Sequence, residues 1–165
     1  MLENLLKLVQ ENAGDAIINN PAIPNEQNQA AIETTTSSIF ETLKNEVNSG
    51  NLADLGSLFA NNGNATDALT GNLNADVVSN LMTKLGINNE VATGIAASII
   101  PTVIGKLASK ANDPNDSSFD LNGIVNSLGG NGSTMTSIID MLDGQKDGQT
   151  NYGGIIDTVK GFFSK

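Results

Sequence analysis

The sequence predicts an all-α protein: a multihelical single domain over residues 1–165, with a central apolar helix surrounded by shorter helices. Three observations carry the prediction. Apolar residues recur at helical spacing nearly throughout, and no segment alternates with period two. Clusters of Asn, Gly and Pro punctuate the periodic stretches where helices must stop. A chain of 165 residues fits one domain, able to bury roughly 70% of its unfolded surface.

The elements follow in order. Leu2, Leu5, Leu6, Val9, Ala13, Ala16 and Ile17 line one face of a first helix, with Glu3 and Lys7 as an i,i+4 pair on its outer side. Asn19-Asn20-Pro21 stops it, and Pro21 and Pro24 hold the connector extended. A second helix carries Ile32, Ile39, Leu43 and Val47 on one stripe and ends with Gly50 at C′. Its Thr34-Thr35-Thr36-Ser37-Ser38 middle has weak helix propensity, so tertiary packing must hold it. Leu52, Leu55, Leu58 and Phe59 make a short third helix.

Ala65 to Leu69 offer one further turn, after which Asn74 is expected to cap a fourth helix with Val77, Val78, Leu81, Met82 and Leu85, ended by Gly86. Glu90 to about Lys110 is apolar on almost every side and is expected to be the buried centre. Pro101 should kink it and deprive the Ala97 carbonyl of its partner. Beyond the polar loop 112–118 come a short helix with Leu121, Ile124, Val125 and Leu128, and a helix capped by Ser133 with Met135, Ile138, Ile139 and Leu142. A terminal amphipathic helix then carries Ile155, Ile156, Val159, Phe162 and Phe163. Leu81, Leu85, Ile99, Ile100, Val103 and Ile139 are the expected core.

Composition narrows function mainly by omission. The chain has no histidine, cysteine, arginine or tryptophan, which removes the usual neutral-pH base, thiolate nucleophile, soft-metal ligands and bidentate phosphate clamp. A Ser-His dyad is impossible, and no P-loop, G-x-S-x-G or G-x-G-x-x-G occurs. Eight lysines, scattered without a block, face 18 carboxylates, for a formal charge of −10. Such a surface repels DNA, RNA and anionic lipid. The N-terminus starts acidic and lacks a long apolar stretch, so it does not read as a secretory signal. The uncharged run Val91–Gly105 falls short of the ~20 residues a membrane span needs. A cytoplasmic protein with no nucleic-acid partner, no membrane insertion and no cofactor is the expectation.

Three patterns invite a sharper reading. The loop from Asp143 to Gly154 has the outline of an EF-hand, with Asp143 at position 1, Asp147 at position 5 and the turn glycine Gly148 at position 6. Gln145 stands at position 3, however, and Gly154 at position 12 replaces the bidentate carboxylate, so a Gly-rich interhelical loop explains it better than calcium binding. The helices around Leu85-Gly86-Ile87 could form a helix-turn-helix, but the second one offers no base-reading side chain before Lys106; a tight αα-hairpin is the simpler account. Asp113 and Asp116, or Asp140 and Asp143, are close enough in sequence for acid/base work, yet they flank Asn/Gly/Ser loops where carboxylates serve as caps or solvated surface.

Several segments together resemble one family: Leu5-Leu6-Lys7-Leu8-Val9, Asn20-Pro-Ala-Ile-Pro24, Gly50-Asn51 before a Leu-rich helix, Ile99-Ile-Pro101-Thr-Val-Ile104, Phe119-Asp-Leu-Asn-Gly-Ile, and the Asp143-x-x-x-Asp147-Gly loop before Asp157 and Phe162-Phe163. The pattern is similar to the bacterial YidB-like proteins, a domain of unknown function, in a Bacteroidetes-type member. The resemblance implies a multihelical bacterial intracellular protein with a homeodomain-like substructure, one central helix wrapped by the others, and no agreed activity. Related sequences carry a fuller Asp-x-Asp-x-Asp-Gly loop, from which Gln145 departs. The functional expectation is a non-enzymatic interaction protein working through self-association (a homo-oligomer) or a protein partner. Phe162 and Phe163 could dock on a partner or on their own core. The alternative is a calcium- or small-ligand-binding module using Asp143 and Asp147.

Overall fold

A computed structural model of the chain describes residues 1–60, 64–113, 115–134 and 136–138. Helix α1 spans Leu2–Glu11 and buries Leu5, Leu8 and Val9. Leu2, which opens the apolar series in the sequence, is 46% exposed. The single helix expected to reach Ile17 is divided instead. Asn12 turns its Nδ2 back onto the Leu8 carbonyl at 2.6 Å, the kind of competition an Asn side chain offers a helix backbone. A π turn over Gly14–Ile18 follows. Its Ile18 and Asn19 amides donate five residues back, to the Ala13 and Gly14 carbonyls, at 3.1 and 2.8 Å. Ala13 and Ile17 stay fully buried across the break. Pro24 then runs extended (φ −58°, ψ 141°) into a 3-10 turn at Asn25–Gln27.

Helix α2, Asn28–Asn48, packs against α1, α3 and α4. Its Thr/Ser-rich middle is held as the propensities require, from outside: Thr35, Thr36, Ser38 and Thr42 are all buried. Thr36, Ser38 and Thr42 satisfy their hydroxyls on the carbonyls of Ile32, Thr34 and Ser38, at 2.7, 2.8 and 2.9 Å. The Thr35 hydroxyl is buried with no hydrogen-bond partner among the described residues. Gly50, at φ 77°, closes α2. The Gly50 amide donates to the Val47 carbonyl at 3.2 Å and the Asn51 amide to Glu46 at 3.0 Å, a Schellman motif that only a residue tolerant of positive φ accepts cheaply.

After α3 (Leu52–Ala60) the chain forms one long helix, α4, over Asp67–Leu85. The expected cap at Asn74 is displaced. Thr66 caps the helix, its hydroxyl accepting from the Leu69 amide at 3.2 Å. Asn74 sits mid-helix and bonds back to the Thr70 carbonyl at 2.9 Å. The extra turns are stabilised by Leu69 and Leu73, both fully buried. Gly86, in the left-handed region at φ 67°, ends α4.

Helix α5, Asn89–Ala111, is capped by Asn88 and sits against α1, α3, α4, the π turn and the 3-10 turn at Ser117–Phe119. It supplies nine buried residues, among them Ile95, Ile99, Ile100, Val103, Ile104 and Leu107. Central it is, but not enclosed: by length and composition it could cross a membrane, and only 50% of its apolar window is buried. Ala97 and Pro101 face outward. Pro101 is accommodated inside the helix because its missing amide lies on the solvent side. Helix α6, Leu121–Ser127, is capped by the Asp120 carboxylate, which accepts from the Gly123 amide at 2.8 Å. Residues 132–134 and 136–138 are helical again. Asn131 rather than Ser133 caps this segment, accepting from the Thr134 amide at 3.1 Å.

The buried side chains form one continuous cluster, with no strand among the described residues. Leu81, Ile99, Ile100 and Val103 lie in it as expected, whereas Leu85 is only partly buried at its edge. Met82 is exposed. Ile139 lies outside the described residues.

Candidate interaction surface

Three features of the fold could serve chemistry or recognition. The first is the seam between α2 and α4. Ser38, Thr42 and Glu46 succeed one another at intervals of four on α2, and Asn80, Asp76 and Asn72 do so on α4. The antiparallel helices bring them together rung by rung. Asn80 Nδ2 donates to Ser38 Oγ at 2.9 Å, Thr42 Oγ1 to Asp76 Oδ2 at 2.6 Å, and Asn72 Nδ2 to Glu46 Oε1 at 2.8 Å. Asn51 Nδ2 completes the lower rung, donating to Glu46 Oε2 at 2.7 Å. Glu46 is only 6% exposed, so two amide donors replace the water its carboxylate has lost. All these groups satisfy one another, which makes the seam structural rather than reactive.

The second feature is the loop after α5. Lys110 Nζ pairs with Asp116 Oδ2 at 2.6 Å. The Ser118 amide donates to Asp116 Oδ1 at 2.9 Å, and the Ser118 hydroxyl donates to the same oxygen. The hydrogen bond from Lys110, followed by those from Ser118, holds the Asp116 carboxyl well below the usual carboxylate range. The same bond to Asp116 raises the Lys110 ammonium above its ordinary value. Asp113, the other member of the pair considered for acid/base work, accepts from the Asn115 amide at 2.9 Å in an Asx turn. Both carboxylates are thus committed to shaping the loop. Among the described residues, no group of three carboxylates could hold a metal ion.

The third is the outward face of α5. Thr93, Gly94, Ala97, Ser98, Pro101 and Thr102 are exposed and Gly105 is half-buried, a band of small side chains repeating every three to four residues. A Cβ built at Gly94 or Gly105 would meet nothing within 4 Å, so no internal packing demands glycine there. From Gly94 to Gly105 the band runs about 16 Å along the helix axis. It ends at Lys106, whose ammonium donates to Asn12 Oδ1 at 2.6 Å. In a chain of formal charge −10, this is a flat strip with no charge of its own. It carries no side chain suited to reading a base, which the helix-turn-helix reading needed.

The residues singled out for metal binding, Asp143 and Asp147 with Gly154, and those singled out for docking, Phe162 and Phe163, lie outside the described residues. The α5 strip was hidden in the sequence because Ala, Gly, Thr and Pro scored with the apolar run. The seam had a visible signal, polar residues at spacing four on two consecutive long helices, which the apolar periodicity overshadowed.

An open groove of about 430 Å³ beside the Pro connector is lined by Ile18, Asn19, Asn20, Pro21, Ile23 and Pro24 and contains no titratable group. No curated protein and no solved structure matches the chain. A family described as "Bacterial protein of unknown function (DUF937)" matches residues 67–161, from the first residue of α4 onward. That match covers more than half of the chain, which therefore belongs to the DUF937 family.

Proposed function

We propose that this protein is a non-enzymatic interaction module, working through self-association or a protein partner. The observation that carries the reading is the α5 strip: a charge-free, low-relief helix face left uncovered by the described residues, on an otherwise acidic protein. A second helix can approach such a face closely, because small residues let backbones come near one another. The lack of histidine, cysteine and arginine supports the non-enzymatic part. The repulsive charge argues for a protein partner rather than nucleic acid or anionic lipid. A cytoplasmic setting and a place in the YidB-like, Bacteroidetes-type branch of the family belong to the same reading, supported by the Asn20–Pro24 and Ile99–Ile104 segments.

The test is mass in solution by light scattering over a wide concentration range, on the wild type and on Ser98→Glu. The expected result is a concentration-dependent rise in mass that Ser98→Glu abolishes while circular dichroism stays unchanged. A strict monomer at every concentration, together with no partner crosslinking to α5 in native lysate, overturns the reading. The alternative, calcium binding at Asp143 and Asp147, is separated by a thermal melt. Millimolar calcium is expected to leave the midpoint unchanged, because Gly154 brings no bidentate carboxylate. A rise abolished by Asp147→Ala would put the ion-binding module first.

A further inference from the structure

We draw no further inference here: the strongest candidate, the outward stripe of small residues on α5 from Gly94 to Gly105, belongs to the surface already described, and nothing in the structure shows what covers it.

Discussion

Thr42 Oγ1 lies 2.6 Å from Asp76 Oδ2 and 2.9 Å from the Ser38 carbonyl, so one hydroxyl proton ties α2 both to itself and to α4. In the rungs on either side the buried partner is the α2 residue, Ser38 in one and Glu46 in the other. Glu46 is buried, while Asn72 and Asn51 reach it from exposed positions.

That asymmetry predicts the order of damage in the lower rung. Asn72→Ala strands a buried carboxylate oxygen and is expected to cost about 1–3 kcal/mol. Glu46→Gln leaves exposed amides that can rotate or turn to water, and should cost less than about 1 kcal/mol. Urea unfolding of both variants checks this; a larger loss for Glu46→Gln would mean the seam depends on charge rather than on satisfied hydrogen bonds.

Thr35 offers the opposite case. Its hydroxyl, at 0% exposure, has no partner among the described residues, and Val is nearly isosteric with Thr. Thr35→Val is expected to raise stability by up to about 1 kcal/mol, because only an uncompensated polar group is removed. Loss of stability in a chemical melt would reveal a partner for that oxygen.

Ile100 is 2% exposed at the centre of α5. Ile100→Ala should cost about 2–5 kcal/mol from lost burial plus the cavity left behind. An unchanged unfolding midpoint would contradict the packing of α5 against α4.

Gly94→Ala and Gly105→Ala should each stabilise the fold by about 0.5–1 kcal/mol, since both sites are helical and open to an added methyl. For a chain of this size, 1 kcal/mol corresponds to a rise of roughly 2–4 °C in Tm. A drop in Tm would mean that a neighbouring segment already occupies the strip.

The Lys110–Asp116 pair makes a prediction about pH. The Asp116 carboxyl is depressed from 3.8, so its contribution is complete above that value and fades as acid protonates it. The Lys110 ammonium is raised from 10.5, so its contribution is complete below that value and fades in strong base. Asp116→Asn should therefore speed amide exchange at Ser118 at neutral pH and lose that effect in acid. Because the pair is only partly buried, salt should weaken it as well. Equal exchange in wild type and variant at neutral pH would show that the turn, not the ion pair, orders the loop.

Periodicity revealed the helices because burial of one apolar stripe is what places them, and Ile99, Ile100, Val103 and Leu81 are all buried. Boundaries followed a different physics. Asn74 and Thr66 are both capping residues by type, and only the burial of Leu69 and Leu73 favours starting α4 at the earlier one. The enclosure of α5 was overestimated because Ala, Gly, Pro and Thr are tolerated equally by core and solvent, so their hydropathy could not say which way Ala97 and Pro101 face. Asp143, Asp147, Phe162 and Phe163 were legible as motifs, but a motif does not fix the contacts of its side chains.

The π turn at Gly14–Ile18 works as a phase shifter. Each helical residue advances the chain by about 100°, so one residue taken up in a wider turn changes the direction in which everything downstream departs. Ala13 and Ile17 keep their places in the core while the connector through Pro21 and Pro24 is re-aimed toward the start of α2. Deleting a single residue within 14–18 would restore ordinary winding locally and rotate that departure by roughly a quarter turn. The direction from which the chain enters α2 is thus set ten residues before that helix begins.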